Sequence, residues 1–182
     1  MSDAVAKAIA ALITHLAGIT GLTVRMGFPP ANTKLVMPAL SVLQQDSEYT
    51  NLQPYELSRT APDVNHKTTV KRIVGNYEVP LQLDLWCRNR QERQAFSELL
   101  FARLNPNIEP MGLRLQITDY HSLWVSYTTL AVHDIDDDAS VQRQEWRARI
   151  EIVCSCKAVL VKDEFAIITI ENQLSTPDTI SS

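Results

Sequence analysis

The chain has few of the residues from which enzyme sites are commonly built. It contains only five glycines, and none of them forms a glycine-rich phosphate loop. The motifs G-x-S-x-G and H-E-x-x-H are also missing. Its four histidines are scattered, so no two of them have the spacing of metal ligands. We therefore expect a protein that is not an enzyme and that needs no cofactor.

Cysteine is equally scarce, and its placement indicates packing. Cys87, Cys154 and Cys156 are an odd number, and all three fall on the apolar faces of predicted strands. A zinc site would require a second pair beside Cys154 and Cys156, and the sequence has none. We expect buried, reduced thiols in an intracellular protein.

Long apolar runs and an excess of basic charge are missing too. No run approaches the roughly 20 residues of a membrane-spanning helix, and the N-terminal stretch lacks the basic start of a secretory signal. We expect a mature N-terminal helix and no membrane partner. Lys and Arg number 17 against 21 Asp and Glu, giving a formal charge of −4. This balance argues against nucleic acid as the main ligand.

The clearest local pattern runs from Tyr77 to Leu104. Apolar residues occupy every second position up to Cys87, which predicts a strand with one buried face. At Asn89 the period changes, because Asn89 can cap a helix and Glu92 can complete a capping box. The apolar positions of this helix are Phe96, Leu99, Leu100 and Leu104. A strand therefore leads directly into an amphipathic helix, which we expect to lie on the apolar face of that strand.

The remaining patterns complete an α+β prediction. A first helix has the apolar stripe of Val5, Ile9, Leu12, Ile13 and Leu16. The clearest late strand, Trp146–Cys156, alternates apolar and charged residues, which indicates a sheet with one covered and one wet side. We predict one domain over residues 1–162, a mainly antiparallel sheet with one face covered by two helices, and a C-terminal arm and tail over 163–182.

Residues 50–66 hold two prolines and show no sustained period, so we predict a long hairpin loop. The loop is either a flexible hairpin tip or a projecting loop that contacts a partner. In the second case its interface candidates are Tyr55, Leu57 and Arg59.

The arm contains a second set of interface candidates. Its short apolar run includes Phe165, Ile167, Ile168 and Ile170, and it leads into a polar tail. Such a segment needs a sheet edge to pair with, either its own or that of a neighbouring subunit. We favour the neighbour, because strand addition is a common way for arms to dock.

An acidic stretch is the weak candidate for a metal site. Asp134, Asp136, Asp138 and Glu145 have the spacing of EF-hand ligands. However, Ala139 stands where the sharp turn of that loop needs glycine, and the flanks have the pattern of strands. A solvated acidic turn is the better interpretation, with a small metal-binding enzyme or domain as the alternative.

The order of these patterns resembles the tail terminator, or tail completion, proteins of tailed bacteriophages and the related neck proteins of the head–tail connector. The residues that carry the resemblance are Leu85-Trp86-Cys87, the turn Arg88-Asn89-Arg90, the helix Glu92–Leu104 and the strand Trp146–Cys156. It is a likeness of pattern and order, over roughly residues 2–161, with no diagnostic motif.

The resemblance implies a virion structural protein that is assembled in the host cytoplasm. Copies of such a protein form a ring, expected to be a homo-hexamer, that caps the tail tube and joins it to the neck. Its partners would be other copies of itself, the tail tube protein, the neck or connector proteins and, in a contractile tail, the sheath. Genomic DNA would pass through the lumen without specific binding. Another connector subunit and a host-encoded adaptor with the same fold are the alternatives.

Overall fold

A computed structural model describes residues 3–28, 35–106, 112–135 and 146–165 of the chain. Within them the protein is of mixed α+β class, with two helices and a predominantly stranded architecture. The elements, in chain order, are α1 (Asp3–Ala17), β1 (Thr23–Met26), β2 (Ala39–Gln44), β3 (Glu48–Arg59), β4 (Lys67–Cys87), α2 (Arg90–Leu104), β5 (Leu113–Ile117), β6 (Leu123–Ile135) and β7 (Trp146–Phe165).

Two long antiparallel strands, β4 and β7, form the centre of one seven-stranded sheet. They pair from Lys67 opposite Phe165 to Cys87 opposite Trp146, with one bulge near Gly75. The strand order is β1-β2-β4-β7-β6-β5, and β3 also pairs with β4. The parallel pair in this sheet is β1 with β2, and the other pairs are antiparallel. The sheet is therefore mainly antiparallel, as predicted.

Strands β2 and β3 lie one after the other along the same side of β4. Gln44 at the end of β2 pairs with Leu81, and Glu48 at the start of β3 pairs with Glu78. Pro80 of β4 faces the break between them, where its carbonyl oxygen accepts a hydrogen bond from the Gln45 amide at 3.0 Å. Proline has no N–H to donate to a ladder, so the break lets a proline occupy the middle of a long strand.

One hydrophobic core joins both helices to the sheet. It takes alternate residues of β4 and β7 together with the apolar stripes of α1 and α2. The Tyr127 hydroxyl of β6, fully buried, donates to the Ala8 carbonyl of α1 at 2.6 Å and so ties the helix to the sheet. The main β4 and β7 members of this core are Val79, Leu81, Leu83, Leu85, Cys87, Ala148, Ile150, Ile152 and Cys154.

The predicted start of α2 is confirmed. Asn89 is its N-cap, and the Asn89 side-chain oxygen accepts from the Glu92 amide at 2.8 Å. The Glu92 carboxylate in turn accepts from the Arg88 amide at 2.7 Å, one residue before the position that a standard capping box would use. Leu100 and Leu104 are buried as expected, whereas Leu99 is half exposed.

We call the region far from the helices the extension, and the rest the body. The extension consists of β3, residues 67–76 of β4 and residues 157–165 of β7, three strands side by side. Strand β6 pairs with β7 only up to Ser155. Among the described residues, the extension is therefore three strands wide, while the sheet of the body is wider.

Two predicted boundaries are corrected here. The predicted loop over residues 50–66 is wrong for most of its length, because β3 occupies Glu48–Arg59 and the tip is reduced to residues 60–66. The predicted arm begins too early, because β7 continues through Phe165 and pairs with β4 to that point. Residues 166–182 lie outside the described residues.

Candidate interaction surface

The two faces of the extension carry different side chains. Residues directly opposite one another on neighbouring strands point to the same face. The pairings place Tyr55, Ile73 and Val159 on one face. Because side chains alternate along β7, Val161 and Phe165 share that face with Val159. We call Tyr55, Val159, Val161 and Phe165 the apolar strip. The same face also carries the charged residues Lys67, Lys71 and Asp163 beside them.

The apolar strip is largely uncovered. Tyr55 is 51% exposed and Phe165 is 73% exposed, and Val161 is also exposed. The Lys67 ammonium lies 5.8 Å from the Phe165 ring centroid, a cation–π contact that leaves most of the ring in solvent. Exposed apolar side chains aligned on one strand face are typical of surfaces that bind another protein.

The opposite face of the extension carries a network of ion pairs. Arg72 Nη2 donates to Glu164 Oε2 at 2.9 Å, and Arg59 Nη2 lies 2.6 Å from Glu56 Oε2 and 3.9 Å from Glu164 Oε2. The hydrogen bond from Arg72 lowers the pKa of Glu164 below its ordinary value, and the bond from Arg59 does the same to the pKa of Glu56. The network links all three strands on this face.

Gly75 lies at the point where the extension joins the body. A Cβ atom at this position would lie 2.4 Å from ring atoms of Tyr49, so glycine leaves room for the ring in its present position. The Tyr49 ring then reaches Tyr77, with a centroid distance of 4.8 Å. The register of β4 against β7 shifts at the same place, between Ile73 and Gly75. Gly75 therefore lies at a β-bulge inside one continuous strand.

The interface candidates predicted in the hairpin belong to β3 and have different surroundings. Tyr55 belongs to the apolar strip, whereas Arg59 is held in the ion-pair network. Leu57 is half-buried at a register shift between Glu56 and Ser58. The structure thus brings Tyr55 and the arm residue Phe165 onto one face, although they are far apart in the chain. The other arm candidates, Ile167, Ile168 and Ile170, lie outside the described residues.

The acidic stretch is only partly described. Asp134 forms a salt bridge with Arg93, a residue of α2 that is almost fully buried. Asp134 Oδ2 lies 2.9 Å from Arg93 Nη2. Arg93 also packs over the Trp146 ring, 5.4 Å from its centroid. Asp134 therefore has a structural contact that its sequence spacing did not predict. Asp136, Asp138 and Glu145 lie outside the described residues.

A buried ionic cluster occupies the face of the body sheet that points away from the core. Asp84 is 0% exposed, and its carboxylate lies 3.1 Å from Arg149 Nε and 3.6 Å from Arg147 Nη2. The Gln82 amide also donates to it at 3.0 Å, and the Arg147 guanidinium stacks on Trp86 at 4.1 Å. On the face of the sheet that was predicted to be wet, Asp84 is therefore buried beneath partly exposed neighbours.

In the part of the chain that the structure describes, no group of three or more His, Cys, Asp or Glu side chains is arranged to hold a metal ion. Neither described helix is long and apolar enough to cross a membrane. The three thiols are buried, and burial raises the pKa of Cys87 to about 12. The surface with the most distinctive chemistry is therefore the apolar strip.

Comparisons with known proteins assign the chain to no family. No protein-family model matches the chain, and a search of curated proteins finds no significant match.

Proposed function

We propose that this chain is a virion structural protein, a ring-forming tail terminator that caps the tail tube of a tailed phage and joins it to the neck. Another subunit of the head–tail connector is the closest alternative. The observation that supports the proposal is the apolar strip on a narrow three-stranded extension, because it is a surface suited to another protein. The order of strands and helices that resembles the terminator family supports it as well.

The geometry suits a ring. A closed ring needs a heterologous contact, in which one patch of a subunit meets a different patch of the next. The extension supplies one such patch, at the far end of the long β4–β7 pair from the helices. We further place both helices on the core face of the sheet, so that the opposite face and the extension remain free for neighbours.

The proposed partners derive from the position of such a ring. Each of six copies would contact its two neighbours in the ring. The last ring of the tube protein would lie on one side of the terminator ring, and the neck proteins would lie on the other side. In a contractile tail the sheath would also touch the ring. Genomic DNA would pass through the lumen, and a chain with a formal charge of −4 would repel the phosphates. The mechanism is surface complementarity repeated by symmetry, with no chemical step.

The first test is the oligomeric state of the purified full chain, by mass photometry and negative-stain microscopy. We expect closed rings for the wild type and monomers for a Tyr55→Ser, Phe165→Ser variant. The matched control is Leu99→Ser, Phe101→Ser on α2, whose side chains are similarly exposed at 49% and 53%. The control should still form rings. A wild type that stays monomeric at high concentration would overturn the proposal.

The second test concerns the place of the ring in the particle. Antibodies against the chain, labelled with gold, would be applied to virions of the phage that encodes it. We expect the label at the head-proximal end of the tail. Label on the capsid shell or at the distal tip of the tail would contradict the assignment as a tail terminator.

A further inference from the structure

The two lateral edges of the extension differ in how open they are to another strand. The β3 edge contains Pro54, and its register against β4 shifts twice. Proline and irregular register are the usual devices that stop an edge from pairing. The β7 edge has neither, since β7 pairs with β4 in unbroken register from Phe165 to Val159. The open edge of the extension is therefore that of β7.

The backbone groups that face this edge can be identified. The Val159 amide points away from β4, because it donates to the Tyr120 hydroxyl at 3.3 Å. In an antiparallel strand the N–H and C=O of every second residue point to the same side. Val161, Asp163 and Phe165 therefore direct their N–H and C=O groups outward, and β6 pairs with β7 only up to Ser155. No strand in the described ranges takes up these groups.

The chain continues from the end of this edge. Phe165 is opposite Lys67, which is the first residue of β4, so the ladder between β4 and β7 ends at this pair. The next five residues in the sequence, 166–170, are AIITI. They are uncharged and mostly β-branched, which is the composition that strands favour. Five residues also match the length of the open edge, residues 161–165.

We propose that residues 166–170 of one copy add as a strand to the β7 edge, residues 161–165, of the neighbouring copy. Main-chain hydrogen bonds would satisfy the outward groups of Val161, Asp163 and Phe165, and the isoleucines would cover the exposed side chains beside them. The contact is heterologous, because a segment of one copy meets an edge of the next. The inference rests on the proposed ring, and it names the element that links the subunits.

The test uses two full-length variants with complementary defects. Val161→Pro removes one outward N–H, and it leaves the β4–β7 ladder intact because that N–H does not face β4. Ile168→Lys places a charge in the middle of the added segment. Each variant alone should be monomeric. Mixed together they should form heterodimers, because the intact segment of the first fits the intact edge of the second, and no closed ring can form from them.

Matched controls distinguish a loss of strand pairing between subunits from a loss of folding within each subunit. Val161→Thr keeps both the β-branched shape and the N–H, and Ile168→Val keeps an apolar β-branched residue, so both should form rings as the wild type does. Slow reaction of the buried thiols with a thiol reagent would show that the body of each variant is folded. Rings from either defective variant, or a mixture without heterodimers, would overturn the strand addition and leave the ring proposal standing. A monomeric wild type would overturn both.

Discussion

The two halves of β4 have the same strand geometry and very different surroundings. In the body, Val79, Leu81, Leu83, Leu85 and Cys87 all reach the core, and none is more than 1% exposed. In the extension, the half before Gly75 buries Thr68, Val70 and Ile73, and none of these three belongs to the hydrophobic core that the helices cover. Pairing alone builds a strand, whereas packing against helices determines how much stability the strand contributes.

The same contrast appears in the charges. Each half has a carboxylate held by two arginines, Asp84 with Arg147 and Arg149 in the body, and Glu164 with Arg72 and Arg59 in the extension. The side chain of Asp84 is 1% exposed, whereas that of Glu164 is 24% exposed. A buried carboxylate has lost its water and depends on its partners, while an exposed one can exchange them for solvent.

The largest effect we predict comes from removing the buried carboxylate. Asp84→Ala removes a buried carboxylate that accepts from Arg149 and Gln82, and we expect the free energy of unfolding to fall by about 1.5–3 kcal/mol, the range for hydrogen bonds to a charged group. Urea unfolding followed by circular dichroism would measure it. Glu164→Ala, the matched change in the extension, should leave the unfolding midpoint close to that of the wild type. Equal losses of unfolding free energy in the two variants would show that the buried and the exposed carboxylate contribute equally to stability.

The second prediction tests the junction between the halves. Gly75→Ala would place a Cβ atom 2.4 Å from the Tyr49 ring, so the half-exposed ring must swing outward and loosen β3 from β4. We expect a loss of about 1 kcal/mol, the low end of the range for adding a methyl group to a packed site, because the Tyr49 ring is half exposed and can move. Thermal or urea unfolding would measure this loss.

A double-mutant cycle identifies the cause of that loss. In a Tyr49→Ala background the ring is gone, and Gly75→Ala should then have little further effect. If Gly75→Ala costs the same with and without the Tyr49 ring, crowding by the ring is not the reason for glycine at this position. The backbone of the bulge would then be responsible.

The sequence predicted the features that depend on neighbouring residues. The strand that leads into α2 and the Asn89 cap are each determined by the period or the capping chemistry of residues within a few positions. The features it did not predict depend on distant pairing. β3 contains Pro54 and no alternation, so only its pairing with β4 makes it a strand. The burial of Asp84 could not be predicted either, because its arginine partners lie far along the chain, on β7.

For the candidate surface too, the sequence identified single residues but not their arrangement in space. Tyr55 and Phe165 stood out because each lies in an irregular or isolated apolar stretch. Their common face could not be deduced, because it depends on the register of β3 and β7 on either side of β4. A shift of one residue in either register would move one of the two side chains to the other face.

The smallest effect we predict is a pH-dependent loosening confined to the extension. The bonds from Arg72 and Arg59 hold the pKa values of Glu164 and Glu56 below the ordinary value of 4.5. A carboxyl whose pKa is lowered by folding stabilises the fold above its unfolded pKa, and this stabilisation is lost as the pH falls through the lowered value. The ion-pair network therefore supports the extension at neutral pH and stops doing so as the pH falls below the ordinary glutamate pKa of 4.5. Amide chemical shifts recorded by NMR from neutral pH down to about pH 3 should show a transition in β3 and in residues 157–165, and Glu164→Gln should reduce it. Loss of the body signals at the same pH would mean that the two regions unfold together, since a local network cannot by itself open the core.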